Sequence, residues 1–258
     1  MKKLNIVILG CGNVAEHFAN LMQRHHHRIV EIYHPESQKA THFASTYQAK
    51  AISNIQTLSS NADLYIIAVK DNAIAQVANE LPENTGIVVH TSGNTAAHVL
   101  NKHQRHAVFY PLQTFTRGIK TTQDQFPLLI ECSESSDEIL LSDLAKSIGL
   151  QPFLMNSTQR AEVHLAAVFA ANFTNHCIHM AYDLMTQKNH APNMLLPLIK
   201  ESINKLNYIS PYQAQTGPAV RHDNQVIEKQ MQMLQSNETF KKIYELMTKH
   251  IQEIHHNN

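Results

Sequence analysis

The stretch Leu4-Asn5-Ile6-Val7-Ile8-Leu9-Gly10-Cys11-Gly12-Asn13-Val14-Ala15 decides how the rest of the chain is read. An apolar run ends in a Gly-x-Gly-x-x-Ala turn, and a helix-compatible segment, Glu16-His17-Phe18-Ala19-Asn20-Leu21-Met22, follows it. Strand, glycine turn and helix in that order make the phosphate-binding unit of a dinucleotide-binding domain. Gly10 permits the tight turn, Gly12 lets the backbone approach a pyrophosphate, and Ala15 keeps the helix close to the strand. Asn13, Val14 and Ala15 then bring the free N–H groups and positive dipole of a helix start to the phosphates.

Outward from this unit, strand and helix signals alternate as a parallel sheet with crossover helices requires. Strands are expected over 28–33, 50–52, 63–69, 86–91, 106–109, 127–131 and 151–154. Helices are expected over 38–47, 72–81, 96–101 and 136–148, with Pro82 and Gly149 as stops. Ligands of such sheets bind beyond the carboxyl ends of the strands. Those ends supply Val69 and Lys70, then Thr91, Ser92 and Gly93, then Gln113. The small polar groups at 91–94 suit a nicotinamide amide or a substrate carboxylate, and Gln113 is a further candidate substrate contact.

The end of the second strand separates two cofactors. An NAD site usually places Asp or Glu there, about twenty residues beyond the glycine turn, on the ribose hydroxyls. Here Tyr33 and His34 stand in that place, with Ser37 and Lys39 close behind and Glu31 inside the strand. A carboxylate would repel a 2′-phosphate, so its absence favours NADP over NAD, with His34 and Lys39 as candidate phosphate contacts. The same absence argues against a methyltransferase using this glycine turn.

After residue 154 the alternation stops and the sequence becomes helical. Residues 158–188 contain no proline or glycine, and the centre, Leu165-Ala166-Ala167-Val168-Phe169-Ala170-Ala171, is apolar all round. That pattern predicts a buried helix, the spine of a second domain or part of a dimer interface. His164, Asn172, Asn175, His176 and His179 are spaced to fall near one side of it. His164 is the best acid/base candidate among them, because imidazole titrates near neutral pH. Helices are also expected over 194–208, 225–234 and 239–254, the last with Phe240, Ile243, Tyr244, Met247 and Ile251 as a core face. Between them, Gly217-Pro218 fixes a turn, Arg221 is a candidate clamp for a substrate carboxylate or phosphate, and Asp223 is placed to cap a helix.

Composition bounds the function classes. The 258 residues are 43% apolar and 16% charged, with Lys plus Arg equal to Asp plus Glu, so a core can be buried and no charged surface calls for nucleic acid or membrane. A small molecule is the expected substrate. Cys11, Cys132 and Cys177 lie far apart, which suggests reduced thiols and a cytoplasmic setting. Neither His25-His26-His27 nor His255-His256 has a carboxylate partner at ligand spacing, so no metal is expected.

The glycine turn, His90-Thr91-Ser92-Gly93, Tyr110-Pro111-Leu112-Gln113-Thr114-Phe115, the helix 164–173 and Thr216-Gly217-Pro218-Ala219-Val220-Arg221-His222-Asp223 together resemble the Rossmann-like NADP oxidoreductases that carry a C-terminal domain of unknown function. That group is similar in plan to deazaflavin-dependent NADP reductases, pyrroline-5-carboxylate reductases and β-hydroxyacid dehydrogenases. The resemblance implies an α/β protein: a Rossmann, doubly wound, mainly parallel sheet over 1–155, then an all-helical substrate and dimerisation domain over 156–258, paired as a homodimer. It implies hydride transfer to or from a small carbonyl or imine substrate in an interdomain cleft. His164 and Asn172 would be catalytic, and Ser92, Gln113, Asn175, His176 and Arg221 would bind substrate. One departure stands out. The β-hydroxyacid dehydrogenases carry a lysine four residues before the helix asparagine, and here that position is Val168. The lysine mechanism does not carry over, which leaves a non-catalytic NADP-binding sensor or scaffold as the alternative.

Overall fold

The computed structural model describes residues 2–119 and 125–255; His256 of the histidine tail lies outside them. The chain divides into two compact units, Met1–Asn172 and Phe173–Asn258.

The first unit is built on one eight-stranded sheet. Its strands are β1 (Asn5–Leu9), β2 (Arg28–Tyr33), β3 (Lys50–Ile52), β4 (Leu64–Ile67), β5 (Ile87–His90), β6 (His106–Pro111), β7 (Pro127–Cys132) and β8 (Gln151–Leu154). The spatial order is β3-β2-β1-β4-β5-β6-β7-β8, parallel throughout except where β6 meets β7. The expected doubly wound, mainly parallel sheet is therefore present. Helices α1 (Asn13–Arg24), α2 (Ser37–Tyr47), α3 (Asp71–Glu80), α4 (Ser135–Ser147) and α5 (Ser157–Ala167) complete the unit.

The strands are apolar on both sides because both sides are covered. Along β1, Ile6 and Ile8 join a core with Phe18 and Met22 of α1, Phe43 of α2 and Leu144 of α4. Val7 and Leu9 point the other way, into a core with Ile74 and Ala78 of α3 and with Tyr65 and Ile67 of β4. Each such fully buried side chain contributes about 1.5–3 kcal/mol. The winding reverses between β1 and β4, the point at which sheets of this kind bind ligands beyond the carboxyl ends of their strands. Gly10 follows β1 with φ +116°, and a Cβ there would overlap the Ala68 carbonyl oxygen just past β4. Only glycine suits both the left-handed backbone and that close approach.

Two expectations in this unit need correction. The helix foreseen over 96–101 is a single 3₁₀ turn, Ala97–Leu100. The Ala97 N–H that opens this turn is held by the Ser157 hydroxyl at 3.1 Å. The helix foreseen over 158–188 is interrupted by a π-helical segment, Val168–Phe173. Its i→i+5 bonding departs from the 3.6-residue repeat that grouped His164 with Asn172, Asn175, His176 and His179.

The second unit holds α6 (Thr174–Gln187), α7 (Leu196–Asn204), the short α8 (Pro211–Ala214), α9 (Asn224–Met233) and α10 (Glu238–Ile254). The segment foreseen over 194–208 begins and ends in 3₁₀ turns, Pro192–Leu195 and Lys205–Asn207, around α7. Asp223 caps α9 by accepting the Val226 N–H at 3.3 Å. The helices bury little within this chain. No residue of α10 is fully buried; of its expected core face, Phe240, Ile243, Tyr244 and Ile251 are half-buried and Met247 is exposed. In the long helix Leu165 is 61%, Phe169 63% and Phe173 50% exposed, so the apolar centre is not buried by its own chain. Periodicity tells which residues avoid water, but not which chain covers them.

Candidate active site

The glycine turn fits a nucleotide by three features. Gly12 opens α1 in an extended conformation with no side chain capping the helix, so the first-turn N–H groups of Asn13, Val14 and Ala15 have no intrahelical acceptor. A Cβ built on Gly12 meets nothing within 4 Å among the described residues, so packing does not demand glycine there, whereas a phosphate entering that space would. A third feature comes from beyond β6. The Asn13 side-chain amide donates to the Phe115 carbonyl at 2.9 Å, and Arg117 donates to the Cys11 carbonyl at 2.8 Å and meets the Glu16 carboxylate at 3.4 Å. Burial pushes the Cys11 thiol up to about 11, against the opposing pull of Arg117 and Lys39. Two cations thus flank the turn.

At the end of β2, Tyr33 is buried and His34 Nδ1 accepts the Glu36 N–H at 3.0 Å. Glu31 is buried and turned away, accepting the Ser59 N–H at 2.8 Å and pairing with Lys50 at 3.5 Å. It does not take the place of a ribose-binding acid. Lys39 is paired with Glu36 at 2.7 Å, an exposed contact that lowers the Glu36 pKa chiefly through the hydrogen bond. Ser37 begins α2, and Lys70 stands exposed before α3, just after the half-buried Val69.

A second cluster forms where β5, β6 and α5 converge. His164 Nδ1 lies 2.9 Å from the Tyr110 hydroxyl, with the rings edge to face at 5.7 Å. Both rings press on Gly93, where an added Cβ would sit 2.7 Å from His164 Nδ1 and 2.7 Å from Tyr110 Cζ. Burial pushes the Tyr110 pKa up, with a smaller push from Asp71. The phenol therefore keeps its proton at neutral pH and is available to the imidazole as a hydrogen-bond donor.

The loop that carries Gly93 is tightly held. Ser92 Oγ accepts the N–H groups of Asn94 at 3.2 Å and Thr95 at 2.9 Å, and the Ser92 N–H donates to His90 Nδ1 at 3.2 Å. Thr91 and Ser92 are both buried. Burial pushes His90 down to about 4, helped by Arg160 and opposed by the Ala96 carbonyl, so this histidine is a neutral structural member. Arg160, 1% exposed, pairs with Glu131 of β7 and donates to the Thr95 carbonyl at 2.6 Å. Glu131 also accepts the Ser157 hydroxyl at 2.8 Å. Arg160 lies one helical turn before His164, so this network fixes α5 against the sheet and with it the meeting of His164 and Tyr110.

Gln113 is half-buried beyond β6 and accepts the Thr114 N–H at 2.8 Å. Asn172 is exposed in the π segment; Asn175 and His176 are exposed on α6, and Arg221 is exposed in the turn before α9. Tyr110, Arg117, Glu131 and Arg160 were not among the sequence candidates. Tyr110 ends a strand and was open to the rule that yielded Ser92, and Arg160 is one turn from His164. Arg117 lies outside any motif. A concavity of about 210 Å³ beside α1 and Phe115 is lined by neither Tyr110 nor His164, and the second unit has one of about 470 Å³ between α9 and α10. Among the described residues, no helix is long and apolar enough to cross a membrane.

Comparison with known proteins identifies the family. Residues 5–93 match the family described as NADP oxidoreductase coenzyme F420-dependent, and residues 126–251 match a domain of unknown function, DUF2520. A putative NADP oxidoreductase from Bacteroides fragilis is 32% identical, with 97% of this chain and 98% of that one covered and a TM-score of 0.91. The chain belongs to this family of NADP oxidoreductases with a C-terminal DUF2520 domain. NADP, favoured over NAD by residues 33–39, is the nucleotide that the family description names. Two more distant structures share the fold. A pyrroline-5-carboxylate reductase from Streptococcus pyogenes is 13% identical with a TM-score of 0.65, covering 97% of this chain and 99% of that one. A reductive aminase from Aspergillus terreus is 13% identical with a TM-score of 0.70, covering 98% of each chain. No curated protein sequence matches the chain.

Proposed function

We propose that this oxidoreductase exchanges hydride between NADP(H) and a small carbonyl or imine compound, with His164 exchanging the accompanying proton. The observation that carries this reading is the Tyr110–His164 pair at 2.9 Å, fitted against Gly93 beyond β5. The nucleotide, when bound, supplies or accepts the hydride. Gly10, Gly12 and the start of α1 would hold its pyrophosphate, and His34, Ser37 and Lys39 its 2′-phosphate. Val69, Lys70, Thr91 and Gly93 follow β4 and β5, beyond whose carboxyl ends the nicotinamide would lie. His164 would give a proton to the oxygen or nitrogen that gains charge on reduction and take it back in the reverse direction, while Tyr110 holds the imidazole in place. Ser92, Gln113, Asn172, Asn175, His176 and Arg221 remain the proposed substrate contacts.

Calorimetric titration with NADPH, followed by NADPH oxidation against ketones, aldehydes and cyclic imines, tests the reading. Wild-type protein is expected to bind and turn over. H164A should bind NADPH normally and lose turnover by about 10²–10⁴-fold, the usual contribution of a general acid. Absence of NADPH binding would overturn the nucleotide site. Binding without turnover across the panel is the result expected of a sensor.

We also propose a homodimer assembled through the helical region. The exposed Leu165, Phe169 and Phe173 support it, because soluble proteins rarely leave such a patch in water. Sedimentation of the wild type and of F169E is expected to give a dimer and a monomer, and a monomeric wild type would refute the assembly.

A further inference from the structure

We propose that Arg117 is a pyrophosphate-binding residue of the cofactor site, contributing to affinity for NADPH and NADH alike. This rests on the nucleotide reading given above and goes beyond it, since the glycine turn alone accounts for phosphate binding by backbone N–H groups. The segment carrying Arg117 leaves β6 and is fastened to the turn twice, by Asn13 to Phe115 and by Arg117 to Cys11. The guanidinium therefore spans the outside of the turn from the Cys11 carbonyl to the Glu16 carboxylate, along the first turn of α1.

An arginine presents five N–H donors in a planar fork. The Cys11 and Glu16 contacts use Nη2 and Nε, which leaves further donors on the Nη atoms for a ligand oxygen. The side chain is 64% exposed, so it is not held there by burial. Gly12 follows the Cys11 carbonyl that Arg117 reaches; it has open space where a Cβ would stand and opens α1 with no side-chain cap. A diphosphate placed on those N–H groups brings two negative charges to the fork, and arginine suits bidentate contact with phosphate. The position also separates the two kinds of phosphate. His34 follows β2 and Lys39 lies in the first turn of α2, and neither hydrogen-bonds through its side chain to the glycine turn among the contacts described, whereas the Arg117 guanidinium bonds to the turn itself.

The competing role is charge compensation. Glu16 lies in the first turn of α1, where its carboxylate would repel a diphosphate, and Arg117 could act only by neutralising it. The variants R117A, R117K, E16Q and R117A/E16Q, titrated calorimetrically with NADPH and NADH, distinguish the two. R117A is expected to weaken both nucleotides by a similar factor of about ten, the size of a partly screened charged hydrogen bond. The double variant should stay as weak as R117A. Recovery of wild-type affinity in the double variant would overturn the direct contact, as would unchanged binding in R117A. A loss confined to NADPH would place the residue on the 2′-phosphate and overturn the pyrophosphate assignment. Thermal melting checks that the variants fold, and if R117A melts early then R117K decides, by showing a similar though smaller loss for both nucleotides or none. A wild type that binds neither nucleotide would refute the site as a whole, a result separate from any effect of Arg117.

Discussion

Replacing Gly93 with alanine adds one methyl group where three elements meet. Its Cβ would stand 2.7 Å from His164 Nδ1 and 2.7 Å from Tyr110 Cζ. Ordinary contact needs about 3.5 Å, so each ring must retreat by about 0.8 Å. Both rings are rigid and one lies on a helix pinned by the buried Arg160, so the strain is not relieved by a small rotation. Overpacking of this kind costs about 1–3 kcal/mol. The Tyr110–His164 hydrogen bond, 2.9 Å in the native arrangement, is stretched or broken, with a further loss of about 1 kcal/mol. G93A is therefore expected to lose about 2–4 kcal/mol in urea denaturation. The His164 ring nitrogens, followed by NMR, should lose the signature of the phenol partner. Wild-type stability together with unchanged His164 signals would refute the close packing from which the site is derived.

Other outcomes follow from the same region. R160M leaves Glu131 without its cation and should destabilise the protein by about 3 kcal/mol, the lower end for breaking a buried pair because Glu131 keeps the Ser157 hydroxyl; NADPH affinity should change much less, and the comparison of urea midpoints with calorimetric titration checks both. His90 gives a pH dependence. Its folded-state pKa is depressed from 6.5 to about 4, so the unfolded chain takes up this proton first as the pH falls. Its contribution is fully present above about pH 6.5 and is lost on the way down to about pH 4, amounting to about 3 kcal/mol. H90N, which retains an acceptor for the Ser92 N–H, is expected to show a shallower fall of stability across that window, and an identical slope would refute the assignment.

Much of this protein was readable from residue order. The glycine turn after an apolar run determined the first strand, the phosphate-binding helix start and the parallel sheet, because each depends on local backbone chemistry. Gly10 illustrates it, since a tight left-handed turn needs glycine whatever surrounds it. The residues at the end of β2 likewise pointed to NADP. His164 was recognised as a histidine in an apolar helix, but its partner was not. Tyr110 is 54 residues away in sequence, and only the stacking of β5 and β6 under α5 brings its hydroxyl to the imidazole.

The same limit explains the misplaced expectations. Apolar periodicity marked 165–171 and the face of α10 as buried, and within one chain the tertiary structure leaves the first largely in water and the second half-covered. A hydrophobic pattern encodes the need for a cover and not its source. Arg117 had no pattern at all, because a surface arginine acquires meaning only from the Cys11 carbonyl it reaches across the sheet. The sequence by itself determined the elements, the nucleotide turn and the acid/base candidate, all consequences of short-range geometry. The tertiary structure decided which side chains meet, because the pairings of His164 with Tyr110, Arg160 with Glu131 and Arg117 with the glycine turn span distances along the chain that no local rule covers.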